Sequence, residues 1–184
     1  VGGNASLLTG AEINGGNDGS AVQGIITVRH PLDTNNYYIF TTDDAIAGEN
    51  GITRGFNYYV YNAPTNTLSG PTRLGNFRST EQVAATWHAN GIDIWISTHT
   101  SPSAVGGPSS TTFHSYLLTC SGLNTNPAVS NAGFVVSANA GGGGKSNERA
   151  SLNFSWDGTK AVATHHNGSG TWDPAGAVSI LDFD

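Results

Sequence analysis

Three side chains able to ligate a metal or move a proton recur at matching places in the sequence. Asp43, His99 and His166 each close a run of β-type residues: Tyr38-Ile39-Phe40-Thr41-Thr42-Asp43, Ile94-Trp95-Ile96-Ser97-Thr98-His99 and Ala161-Val162-Ala163-Thr164-His165-His166. Imidazole and carboxylate are sound ligands for zinc, and His165 adds a donor. Equivalent positions on neighbouring sheets stand farther apart than the ~2 Å bonds of one coordination sphere tolerate, so these groups are expected either to hydrogen-bond loop backbone or to line a shared polar rim that could bind a ligand. Asp43, Asp44 and Glu49 share one Gly-containing loop whose oxygens could hold calcium, but their spacing is not that of an EF-hand and a solvated acidic loop is the plainer expectation. No other cofactor is expected. Trp172, in a Gly-rich loop, is the expected exposed ring for stacking on a ligand such as a sugar. Trp87 and Trp95 sit on strands beside apolar neighbours and are expected in the core, while Trp156 at a hairpin shoulder fits either role.

Signatures of catalysis fail on inspection. Gly141-Gly142-Gly143-Gly144-Lys145-Ser146 has the look of a phosphate loop, but the first required glycine falls at Asn139, and a strand with Leu152 and Phe154 follows where a helix is needed. Asn167-Gly168-Ser169-Gly170-Thr171-Trp172 resembles the aspartate box of sialidase-type propellers, with Ser169 in place of its glycine, while Arg29, Arg54, Arg73, Arg78 and Arg149 are scattered. Glycoside hydrolysis needs paired carboxylates, and Asp43, Glu81 and Asp93 show no pairing in sequence. No catalytic residue is assigned, and the expectation leans away from an enzyme.

The elements that position these residues follow from composition. The chain has 184 residues, 25 of them Gly, only 11% charged and no Met, a make-up of many turns and short strands. A net charge of -6 with 7 Lys+Arg leaves no electrostatic footprint for nucleic acid. No apolar run is long enough for a membrane helix, so membrane insertion is not expected. The single cysteine, Cys120, follows the apolar run Tyr116-Leu117-Leu118 and is expected as a buried thiol. The chain opens on Val1, and is expected to be processed or cut from a longer polypeptide.

Strand signals arrive in bursts. Gly24–Arg29 and Tyr37–Thr42 form one hairpin, Val83–His88 and Ile92–Thr98 a second through Asn90-Gly91, a pair suited to a tight type I′ turn, and Leu152–Trp156 and Lys160–Thr164 a third through Asp157-Gly158. Superposing the hairpins aligns Tyr38 with Ile94 and Ala161, and each unit carries further strand signals before the next, giving about four strands per repeat, as in a propeller blade. Long connections are expected over Asp43 to Arg54 and Ser101 to Ser110. The fold class is all-β: antiparallel four-stranded blades of a β-propeller, about three in a single domain over 1–184, incomplete because a ring takes ~4 to 8. A β-sandwich is the alternative.

Gln23-Gly24, Tyr37 to Asp43, Thr80-Glu81-Gln82-Val83, His88 to Trp95, Phe113 to Thr119, Phe154 to Lys160 and Leu181 to Asp184 together resemble the propeller-like region of large Bacteroidetes surface proteins, the gliding-motility-associated and PKD-domain-containing proteins exported by type IX secretion. The Asp157-Gly158 hairpin is similar to the WD40-like Ser-Pro-Asp-Gly-Lys turn, with Trp156 in place of proline. The resemblance implies a secreted or cell-surface location and a role in adhesion, ligand binding or extracellular structure, with a glycan or protein as partner and self-association or contact with the rest of a larger polypeptide. The alternative is a propeller-type hydrolase or lyase acting on glycans, its site completed by residues outside this segment.

Overall fold

The computed structural model describes residues 23–42, 55–101, 110–136, 149–165 and 177–184, and these contain strands and turns but no helix. The strands are β1 (Ile25–Arg29), β2 (Asn36–Thr41), β3 (Asn57–Asn62), β4 (Thr67–Arg73), β5 (Arg78–Trp87), β6 (Ile94–Ser101), β7 (Ser110–Thr119), β8 (Gly122–Leu123), β9 (Ala128–Val136), β10 (Ala150–Phe154), β11 (Lys160–His165) and β12 (Ala177–Asp182). They form three sheets in chain order: β1-β2-β3-β4; β5-β6-β7 with β8 and β9 both on β7; and β10-β11-β12. Pairing within each sheet is antiparallel throughout. The fold is therefore all-β, as expected, and the three sheets do not close on one another. This open stack accommodates both the propeller and the sandwich.

The second sheet lies between the other two because its strands alternate apolar residues on both faces. Val83, Ile94, Ile96, Tyr116 and Leu118 meet Val28, Phe40, Phe56 and Leu74 of the first sheet and its outgoing loops. Ala84 and Phe113 meet Leu152, Ala161 and Ala163 of the third. β5 is covered on both faces over seven consecutive residues, Arg78 to Ala84, of which Val83 and Ala84 are apolar and the first five are polar.

Gln23 ties the three sheets together. Its backbone N–H donates to the Glu81 carbonyl at 3.1 Å, beside a parallel bridge to Gln82. Its side-chain amide donates to the Leu152 carbonyl at 2.9 Å and accepts from the Leu152 N–H at 2.7 Å, acting as one more strand edge for β10.

Three hairpins close with the same bond: His30 N–H to the Asn36 carbonyl, His88 N–H to Asp93, and Ser155 N–H to Lys160. This register makes Tyr37, Ile94 and Ala161 equivalent, which moves the first repeat by one residue from the alignment expected from sequence. Thr42, rather than Asp43, is thus the counterpart of His99 and His166. The Asn90-Gly91 hairpin is also wider than a two-residue turn. Only Gly91 has positive φ, at 69°, and the Asn90 carboxamide oxygen accepts from the N–H groups of Ile92 and Asp93, each at 3.0 Å. Cys120 is exposed, contrary to expectation, because β7 ends at Thr119 and the thiol sits in the turn to β8.

Candidate functional site

The stack has two unlike ends. At one end the second strand of each sheet finishes and the chain sets out toward the third; Asp43, Asp44, Glu49, His166 and Trp172 belong to these connections and lie outside the described residues. The described residues at this end form a buried polar layer. Arg78, Ser79, Thr80, Glu81, Gln82, Thr98 and His99 are all at most 2% exposed. Here β5 carries an irregularity in register against β6 between Ser79 and Val83, and the displaced residues Thr80 to Gln82 turn their polar groups inward. Arg149 Nε stands 4.0 Å from the Glu81 carboxylate, so two residues scattered in sequence meet here.

His99 faces His165, the additional donor expected from sequence, across the junction of the second and third sheets, ring centroids 5.8 Å apart and nearly perpendicular. Phe113 abuts the His99 ring edge-on at 4.4 Å and Phe134 stacks on His165 at 5.3 Å. Nδ1 of His99 donates to the Thr100 carbonyl at 2.7 Å, the acceptor fixing the tautomer. Burial pushes the His99 pKa down to about 4, opposed by that hydrogen bond and reinforced by His165 and His114 nearby. His99 is thus a neutral interior residue, not part of a solvent-facing rim. Among the described residues no group of three His, Cys, Asp or Glu side chains comes together to hold a metal.

At the opposite end the tight hairpin turns expose two tryptophans. Trp87, expected in the core, is 62% exposed, and Trp156 is fully exposed at 103%. Trp95 is half-buried, its ring edge-on to Phe183 at 6.2 Å. The Trp156 turn is held rigidly by its own polar groups. Asp157 Oδ1 accepts from Ser155 Oγ at 2.6 Å, Thr159 Oγ1 at 2.9 Å and Thr159 N–H at 3.1 Å, and these bonds hold the Asp157 carboxyl down to about 2. Gly158, with φ of 72°, brings the turn against β5, since a Cβ there would stand 3.0 Å from Thr86 Oγ1 and 3.4 Å from the Trp87 carbonyl. That close approach sets the Trp156 turn beside the end of the strand that carries Trp87.

The two tryptophans border two clefts. One, of about 570 Å³, runs along the ends of β1, β5 and β10, with Arg29, His30, Trp87, Phe154 and Trp156 in its lining. The other, of about 420 Å³, lies on the far side, with His88, Trp95, Asp157 and Asp184. Both volumes are in the range of small-ligand sites. Sequence reasoning missed Trp87 because strand alternation places it on a core-facing side, together with Val83 and Ala85. A ten-residue β5 beside a five-residue β1 is the signal that its end is left uncovered. No protein-family model matches the chain, and no curated protein sequence matches it.

Proposed function

We propose that this chain is a non-catalytic, extracellular surface module that binds a glycan through the exposed tryptophan face at its turn end, serving adhesion or extracellular structure. The observation that carries the reading is the pair Trp87 and Trp156, exposed by 62% and 103% on a rigid turn and an adjoining strand end, between two clefts. Flat aromatic faces offer apolar area to the C–H surface of a sugar ring, at little entropic cost because the side chain has only two torsions. The extracellular address draws on the resemblance to exported surface proteins.

Glycan arrays followed by titration calorimetry test this. Trp87→Ala and Trp156→Ala should each weaken binding about tenfold, as expected for loss of one aromatic contact of about 1 kcal/mol or slightly more. Undiminished binding in both variants would remove the face as the site, and binding to a protein but to no glycan would replace the ligand class. One observation favours the second reading, a glycan hydrolase or lyase: Glu81 is fully buried at an irregularity of β5, beside Arg149. Release of new sugar ends by the purified chain, abolished in Glu81→Gln, would put that reading first.

A further inference from the structure

We infer that the larger cleft takes the acidic sugar of a carboxylated glycan, with Arg29 receiving its carboxylate; the inference rests on the tryptophan face being the binding site. The two clefts share Thr86, Trp87 and Trp156 but differ in charge. Among the described residues lining the larger one, Arg29 is the sole formal charge, with His30 beside it and no carboxylate. The smaller one is lined by Asp157 and Asp184 and, among the described residues, by no Lys or Arg. In a chain of net charge -6, with 7 Lys+Arg, a cleft with a cation and no acid departs from the bulk of the molecule.

Position adds to charge. Arg29 ends β1, Trp87 ends β5 and Trp156 follows the end of β10, so the cation and both rings stand at the same end of the first strands of three successive sheets. Arg29 is exposed. Its guanidinium presents a planar fork that matches a carboxylate bidentately, while the tryptophans supply the apolar faces a pyranose needs. His30 next to it is held in place: Nδ1 accepts from the Asp33 N–H at 2.9 Å and the ring stacks over Tyr38 at 6.0 Å. With Nδ1 engaged, its Nε2 is the ring nitrogen that remains to face a ligand. Across the tryptophan wall, Asp157 repels an anion and directs it to the Arg29 side. A linear glycan with acidic residues would lie along the larger cleft.

The test uses uronic-acid oligosaccharides, tetramers of galacturonate, mannuronate and glucuronate, each paired with its carboxyl-reduced neutral form, titrated calorimetrically into the full chain. The acidic form of at least one pair should bind about five- to tenfold tighter than its neutral form, the range for a charge-assisted contact that is partly solvated. Arg29→Gln should erase that difference while leaving the neutral form's affinity unchanged, and raised salt should do the same. Trp87→Ala should weaken both forms together. Equal binding of acidic and neutral forms, or a preference that survives Arg29→Gln, overturns the inference while leaving the tryptophan reading standing. Binding of either form that is indifferent to both tryptophans overturns both readings, and binding of neither form overturns the inference.

Discussion

The two junctions between sheets are built on different chemistry. Between the first and second sheets, rings dominate: Phe40 stacks on Phe56 at 5.8 Å, Phe56 meets Tyr116 at 5.8 Å, and Tyr38 stacks on Tyr58 at 5.9 Å. Between the second and third sheets the facing residues are Ala84, Ala161 and Ala163 around Phe113 and Leu152, with a small cleft of about 50 Å³ bordered by Ser97, Ser115 and Ser130. Equivalent positions show the same contrast. Where the first junction places Thr42 and Thr98, the second places His99 and His165. Repeated sheets can therefore share register and turn bonds while one seam is apolar and aromatic and the next is small-residued, polar and titratable.

The largest expected effect tests the difference in packing. Phe40 is fully buried among rings, and Phe40→Ala should cost about 3–5 kcal/mol of unfolding free energy in urea denaturation. Leu152→Ala in the second junction should cost about 2–3 kcal/mol, the low end for its type, since small neighbours and an adjoining cleft already deprive Leu152 of contacts. A Leu152→Ala loss as large as that of Phe40→Ala would show the second seam to be as tightly packed as the first.

Acid should separate the junctions next. His99 titrates at 6.5 when unfolded and at about 4 in the fold. Because the folded value is depressed, the unfolded chain binds more protons between those values, so the stability contribution is present above pH 6.5, declines as pH falls and is gone below about 4. The size is about 3 kcal/mol, at 1.36 kcal/mol per pH unit. Glu81 faces this region from β5, Arg149 from the start of β10, His165 from β11 and His114 from the far side of β7. Denaturation midpoints measured from pH 7 to 4 should fall steeply, and His99→Phe should flatten the profile. The same slope in His99→Phe would place the titrating group elsewhere.

What could be read from sequence, and what could not, follows the same division. Hairpins β1-β2, β5-β6 and β10-β11 were legible because alternation and turn residues are local signals, as in Asp157-Gly158 and its flanking runs. β4 and β9 were not. Gly70-Pro71 interrupts β4, and β9 is exposed at seven of its nine residues and half-buried at an eighth, so both edge strands read like loops. The meeting of His99 with His165, and of Glu81 with Arg149, depends on which sheet face lies against which, and local periodicity does not encode that. A shift of one residue in aligning the first repeat was enough to put Asp43 where Thr42 belongs. Trp87 shows the converse: apolar neighbours on its strand point to the core, but the shorter neighbouring strand leaves it 62% exposed.

The smallest effect isolates the polar character of the second junction. Ser97 and Ser115 face each other across β6 and β7, their hydroxyls 2.7 Å apart and both residues buried. Ser97→Ala should cost about 1–2 kcal/mol, mostly because the remaining Ser115 hydroxyl is left buried beside apolar side chains. Ser97→Ala with Ser115→Ala together should cost less than either single change, since two methyl groups satisfy each other where one hydroxyl cannot be satisfied. A double-mutant cycle in urea reads the coupling directly. If the two single losses simply add, water enters the cleft beside Ser97 and Ser115 and satisfies the orphaned hydroxyl, so the second seam is solvated at its polar pair.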